Sequence, residues 1–487
     1  MAYTTIDKHK SHFNTILYDG TGSLPRAITG VGHSPDLVWA KDRDTAYNPQ
    51  WHDSVRGIDE GAIYSNATGG NDTTYHMDSF DTDGFTMGSD LDAINGSGKK
   101  IVSWNWLAGG KAPTQTYKVV VVSDSGNKYR FRNSTDTATF GASAVTLDLQ
   151  EGGTYTFDVS DSTLNSHPFV IGTAANSSEY STGVTYKLDG VTKTYSQYTS
   201  GFSAATSRQL IITVAASAPA LYYWCSAHSG MGGAINTNAS HGSSNFDGSI
   251  QTLVSANTTS GFSIVKWSNS GSSAATIGHG LGAVPATIFT KKVSASGDNW
   301  HVGHHKLDSS PWGDYVILNN TSGKSTATNI WNDTAPTSTV FSTGNHGTFT
   351  GGSVTMAYCF AEKQGYSRFG KITTLGNNNN AFEFTGFAPQ FVMLKPIVND
   401  SWSNFYIWDN IRDSNLNDKP LYANLSTKEA YYGGSPASNY AQIDMLSNGF
   451  KIRRDGNWGG GGDGQESLYW AWGQSIVGSN NVPATAR

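Results

Sequence analysis

"YDGTGSLPRAITGVGHSPDLVWAKDRD", residues 18–44, decides the fold, because its pattern returns twice further along the chain. It comes back as "WSNSGSSAATIGHGLGAVPATIFTKKVS" (267–294) and as "LGNNNNAFEFTGFAPQFVMLKPIVN" (375–399). Each copy reads as a strand, a Gly/Asn/Ser turn, a second strand, and a proline that opens a third strand. The prolines are Pro35, Pro285 and Pro389. The third strands are apolar up to a lysine, running Leu37 to Lys41, Ile288 to Lys291 and Val392 to Lys395.

The copies stay in step downstream. "WHDSVRG" (51–57) matches "WDNIRDS" (408–414) and, more loosely, "GHHKLDS" (303–309). "FDTDGFTMG" (80–88) matches "LSNGFKIR" (446–453). The closing strands are "IVSWNWLAGG" (101–110), "VTMAYCFAEK" (354–363) and "LYWAWGQSIV" (468–477). Alternation sends Trp104 and Trp106 to one face, and likewise Trp470 and Trp472. Their repetition marks them as core aromatics, with a sugar-stacking platform as the functional alternative.

Composition agrees with an almost wholly β chain. There are 487 residues, 14% charged and 12% aromatic, with 55 glycines. That length exceeds one hydrophobic core. The net charge is −6 and no basic run occurs, which disfavours nucleic acid as a partner. No apolar stretch reaches membrane-spanning length, so no membrane insertion is expected. "MAYTTIDKHKSHFN" lacks the apolar region of a secretory signal. Two cysteines, Cys225 and Cys359, do not make a disulfide framework. Triplets such as Asn133-Ser134-Thr135 arise by chance in so polar a chain.

The expected architecture is all-β: three repeated antiparallel β-sandwich modules and an inserted domain. The boundaries read as an N-terminal arm 1–11, module 1 at 12–115, the insert at 116–238, a linker at 239–254, module 2 at 255–364, module 3 at 365–477 and a tail 478–487. Seven strands are expected in the insert, at 117–123, 128–133, 144–150, 154–160, 167–173, 208–215 and 221–226.

Near its end the insert carries "LYYWCSAHSGMGG" (221–233), where a thiol, an imidazole and a thioether follow one another at steps of three. A copper ion takes such soft and borderline donors. "LQEGGTYTFDVSDSTLNSHPFVIG" and "APALYYWCSAHSGMGGAI" resemble the two ligand-bearing regions of the cupredoxins, the blue-copper fold. The resemblance covers about a quarter of the chain. It implies a Greek-key β-sandwich with His167, Cys225, His228 and Met231 as copper ligands, on a short amicyanin-type loop.

Other constellations carry less. His301, His304 and His305 in "WHVGHHK" lack a nearby carboxylate or thiol at ligand spacing and read as surface histidines. "DSFDTDGFTMGSDLD" (78–92) lacks the acidic spacing of a calcium loop and reads as a turn. "NWGGGGDGQES" (457–467) has no lysine after its glycines and reads as a loop tip. No nucleophile elbow, zinc-protease helix or paired-carboxylate site occurs, so no enzyme is expected.

Nearly the whole chain resembles a family of virion structural proteins of marine tailed bacteriophages. "SPDLVWAKDRD", "WHDSVRG", "VSWNWLAGG", "AYCFAEKQGYSRFGKITTLGN" and "WAWGQSIVGSNNVPATAR" carry the likeness. It implies a non-enzymatic tail fibre, tail-tip or capsid-surface component, assembled in the host cytoplasm and located in the virion. Expected partners are other virion proteins, further copies of the chain, joined through module sides or the N-terminal arm, and a host-surface glycan or receptor. The alternatives are a copper redox protein with accessory β-domains and an array of carbohydrate-binding modules.

Overall fold

The three lysine-ended strands are covered on both faces. Leu37–Asp42 is buried at every position and Thr287–Lys292 at every position but the last. A strand with one wet face would alternate instead. The computed structural model, which describes residues 3–89, 92–133, 136, 139–307, 312–377, 379–412, 419–429, 442–453 and 462–477, shows what covers them.

Each module builds its main sheet in the same antiparallel order. In module 1 it is Phe13–Asp19, Lys100–Trp106, Leu37–Asp42, Gln50–Asp53 and Ile63–Tyr64. In module 3 it is Ser367–Leu375, Asp463–Ser475, Phe387–Pro396, Tyr406–Asp409 and Leu421–Tyr422. Module 2 repeats it with Phe262–Asn269, Ser353–Phe360, Thr287–Lys292, His301–His304 and Asp314–Ile317. One face of each of the two outer sheets packs on a small three-stranded sheet, formed by Arg26–Thr29, Gly84–Met87 and Met77–Asp81 in module 1. Val38, Ala40, Phe85 and Met87 fill that sandwich, as Val392, Leu394, Phe450 and Ile452 do in module 3.

The opposite face turns toward the other modules. Trp106, Phe360 and Trp472 hold one register position, facing Leu37, Thr287 and Phe391 across their sheets. Their rings meet one another, with centroids 5.4 Å (106–472), 5.1 Å (360–472) and 6.4 Å (106–360) apart. The modules therefore share one aromatic core about a pseudo-threefold axis. Trp104, Tyr358 and Trp470, two residues earlier, lock them in a cycle. The Trp104 indole donates to Asp409 of module 3 (3.1 Å). The Tyr358 hydroxyl donates to Asp53 of module 1 (2.8 Å), and the Trp470 indole to Thr287 of module 2 (3.0 Å). All four repeated tryptophans are buried, so they form core and offer no sugar-stacking platform.

The repeated lysines are buried as well. Lys41, Lys291 and Lys395 aim their ammonium groups at backbone carbonyls of Asp42, Asp298 and Ser403, respectively. Burial pushes their pKa down to about 8, about 8 and about 7. It also pushes His33 down to about 4, and His52 and His301 to about 3. A base whose folded pKa is depressed leaves the unfolded chain holding more protons between the two values, so stability falls with falling pH there. That window runs from 10.5 down to about 8 for Lys41 and Lys291 and to about 7 for Lys395, and from 6.5 down to about 4 for His33 and to about 3 for His52 and His301. Each group contributes up to about 1.4 kcal/mol per pH unit within its window. The thermal midpoint is expected to climb from pH 5 to about pH 9. Scanning calorimetry with a midpoint that is level or falls over that range would contradict the lowered pKa values of these buried bases.

Several sequence expectations change, and the N-terminal residues find partners within the chain. The three modules form one compact unit (Met1–Ala108, Asn257–Ala274 and Leu281–Arg487), because their apolar faces cover one another. The second unit is Gly109–Ala256 with Ala275–Gly280, larger than the expected insert 116–238. Residues 239–254 are no linker: they hold strand Ser243–Asn245 and the start of Thr252–Asn257. The Tyr155 hydroxyl meets Ser243 Oγ at 2.5 Å, and Phe246 enters the insert's core. In the N-terminal arm, the described residues pack on the chain's own third module, where Gln474 receives the His9 amide (3.3 Å) and donates to the Asp7 carbonyl (3.0 Å). His301 and His304 are not surface residues, being only 4% and 3% exposed.

The acidic stretch 78–89 is a hairpin turn, with Asp83 accepting from the Gly30 and Gly32 amides. Ser134, Thr135, the glycine-rich residues 457–461 and the tail 478–487 lie outside the described residues. Among the described residues no helix is long and apolar enough to cross a membrane.

Candidate metal centre

The second unit is a sandwich of two mixed sheets. One runs Asn127–Arg132, Thr114–Ser123, Thr154–Asp158, Arg208–Thr213, Val184–Leu188 and Val191–Lys193. The other runs Leu147–Gln150, Gly233–Asn238, Leu221–Cys225, Phe169–Ala174 and Ser177–Glu179. All seven expected strands are present. The helix Tyr195–Gly201 and the four strands Ser177–Glu179, Val184–Leu188, Val191–Lys193 and Gly233–Asn238 were not foreseen. Tyr117, Phe131, Phe157, Phe169 and Tyr223 lie at the centre of the shared core.

Leu221–Cys225 alternates buried and half-buried, which turns Leu221, Tyr223 and Cys225 inward. Cys225 lies opposite Phe169 on the neighbouring antiparallel strand. His167 precedes that strand by two residues, after a short 3-10 turn (Ser162–Leu164) capped by Asp161. Its amide donates to the Leu164 carbonyl (2.8 Å), and its carbonyl accepts from the buried Tyr129 hydroxyl (2.9 Å). The segment after Cys225 then doubles back. Gly232 lies so close to the Tyr223 carbonyl that a Cβ there would overlap it.

The two histidines and the cysteine converge. Cys225 Sγ lies 3.8 Å from His167 Nδ1 and 3.7 Å from His228 Nδ1, and the two Nδ1 atoms are 3.0 Å apart. A tetrahedral ion with bonds of about 2.3 Å to sulfur and 2.0 Å to nitrogen would set its donors about 3.5 Å (S···N) and 3.3 Å (N···N) apart. The trio fits one metal ion in common. Among the described residues it is the one group of three His, Cys, Asp or Glu side chains gathered this closely. Met231 is buried in the same core cluster as Cys225, at the end of the loop. His228 is exposed and His167 is buried. Burial, with His228 beside it, holds the His167 imidazole below its ordinary pKa, so it is neutral and able to ligate near pH 7. The other cysteine, Cys359, is fully buried, and desolvation raises its pKa far above the usual thiol range.

Sequence reading named all four candidate ligands and the strand beside them, but not the contacts by which that strand's first residues hold them. Asn127, Lys128 and Tyr129 touch both ligand-bearing segments. The Asn127 amide lies 3.4 Å from His167 Nε2, the Lys128 ammonium donates to the Gly230 carbonyl, and the Tyr129 amide donates to the Met231 carbonyl (3.0 Å). Their partners lie some forty to a hundred residues away, so no local motif could reveal them.

Among the described residues His301, His304 and His305 gather no ligand set. His304 holds the register position of Asp53 and Asp409, stacks edge-on against Trp470 (5.0 Å), and His305 bonds the Phe369 carbonyl (2.7 Å).

No curated protein and no solved structure matches the chain. A family described as a domain of unknown function, DUF7483, matches residues 8–151 and 234–475. His167, Cys225, His228 and Met231 all fall in the segment between, whereas Asn127 and Tyr129 fall inside the match. By that match over most of its length, the chain belongs to the DUF7483 family.

Proposed function

We propose that this chain is a non-enzymatic structural component of a tailed-phage particle, and that its inserted domain is a cupredoxin-like module that holds copper. The convergence of Cys225 Sγ with two Nδ1 atoms carries the copper reading. The donor set favours copper over zinc, because the remaining candidate is the thioether of Met231, a soft and weak donor. His167, Cys225, His228 and Met231 would hold the ion. The ion would contribute redox capacity and would stiffen the loop.

The ring supports the structural half of the reading. Its repeated lysines, histidines and Asp–Arg pairs are consumed in packing, which suits a rigid platform. The sequence likeness to virion proteins supplies the setting: a tail fibre, tail-tip or capsid-surface position, with other virion proteins and a host-surface glycan or receptor as partners. Mass spectrometry of purified particles should find the chain at a fixed copy number. Particles that lack it, from a host that expresses it, would sink the virion reading.

A further inference from the structure

The two candidate ligand-bearing segments are tied together by one strand end, and its first residue faces the His167 nitrogen that an ion held by Nδ1 would leave free. A tight turn with Ser125 and Gly126 at positive φ (53° and 107°) delivers Asn127 as the first residue of Asn127–Arg132. Its side-chain amide lies 3.4 Å from His167 Nε2, the ring atom opposite the Nδ1 that faces Cys225 and His228. A neutral imidazole carries one proton, on one nitrogen or the other. Where Nδ1 holds it, that proton bridges to His228 Nδ1 at 3.0 Å and blocks the site. Where Nε2 holds it, Nδ1 offers a lone pair to an ion.

An amide suits both cases, because its NH2 donates and its oxygen accepts. We propose that Asn127 is a positioning residue of the metal centre. Its amide oxygen accepts the Nε2–H of His167 in the loaded state, which fixes the tautomer that ligates through Nδ1. In the metal-free state the amide turns over, its NH2 donates to Nε2, and the proton moves to the Nδ1–Nδ1 bridge. A partner on the outer nitrogen is the common way to orient a ligating histidine. The neighbouring residues make the arrangement rigid: Tyr129 bonds the carbonyls of both His167 and Met231, and Lys128 bonds that of Gly230.

This inference rests on the copper reading, and its test separates the two. Copper(I) affinity is measured by competition with a chromogenic chelator for the full chain, Asn127→Leu and Asn127→Asp. Imidazole nitrogen NMR on the same metal-free proteins reports the His167 tautomer. Asn127→Leu should weaken copper about tenfold and change the tautomer ratio. Asn127→Asp, which only accepts, should keep the affinity and shift His167 toward the Nε2–H form. Unchanged affinity and an unchanged tautomer in Asn127→Leu would overturn the role of Asn127. A wild-type chain that binds no copper overturns the copper reading instead. The tautomer data then judge Asn127 alone, and a ratio that is identical in all three proteins rejects it.

Discussion

Asp53→Ala is expected to destabilise the ring by about 3–5 kcal/mol, because it strands a buried guanidinium. Asp53 accepts from the Arg56 amide (2.8 Å) and from Arg56 Nε (2.5 Å), and from Tyr358 of the next module (2.8 Å). Both side chains of the ion pair are almost fully buried. Arg56 also serves the Gly61 and Trp51 carbonyls, each at 3.0 Å, so it cannot swing out to water without breaking them. Asp409 and Arg412 repeat the arrangement in module 3, with Trp104 in the place of Tyr358. Module 2 shows a solution without charge: His304 stands at the aspartate position and Leu307 is buried three residues on.

That natural replacement sharpens the expectation. A buried ion pair exchanged for neutral groups of similar volume is often close to neutral, whereas removing one partner is costly. Asp53→His combined with Arg56→Leu should therefore cost less than either Asp53→His or Arg56→Leu alone. Denaturant titrations of the four proteins would show it as a coupling energy. Asp53→Ala within about 1 kcal/mol of wild type, which is the range of an exposed pair, would contradict the buried cyclic lock.

The second large effect is metal-linked stability. A ligand that binds only the folded domain raises its stability by about 2.7 kcal/mol at a hundredfold excess over its dissociation constant. Copper should raise the unfolding midpoint of the wild-type chain by that mechanism. The shift should vanish in Cys225→Ser and shrink in His228→Ala, whose side chain is exposed and whose loss disturbs the core least. A shift of equal size in Cys225→Ser would show that copper binds elsewhere.

The repeat, its prolines and the paired tryptophans were plain in the sequence, because a module's own strands follow one another within about a hundred residues. Ring closure was not. Trp104 and Asp409 lie 305 residues apart, and an apolar run such as Leu37–Ala40 serves an isolated sandwich as well as a shared core. The burial of Lys41, Lys291 and Lys395 ran against the usual exposure of lysine. The alignment of the module 2 histidines was also out of register. Aligning "GHHKLDS" with "WHDSVRG" set His305 against Asp53, whereas the sheet sets His304 there. One residue of slip turns every side chain to the other face.

The candidate centre was more legible than the ring. Cys225, His228 and Met231 share one short segment, and His167 stands before a strand with an evident apolar pattern. Asn127 and Tyr129 carried no signal, since an Asn after a Ser-Gly turn and a Tyr in a strand are ordinary in a β protein.

The measurement that bears most directly on the copper proposal is optical. Copper(II) added to the full chain should give one equivalent of an intense visible band, from charge transfer between the Cys225 thiolate and the ion. The band should be absent in Cys225→Ser and unaffected by replacing Cys359. A copper-loaded chain without that band, or with an equal band in Cys225→Ser, would contradict the account.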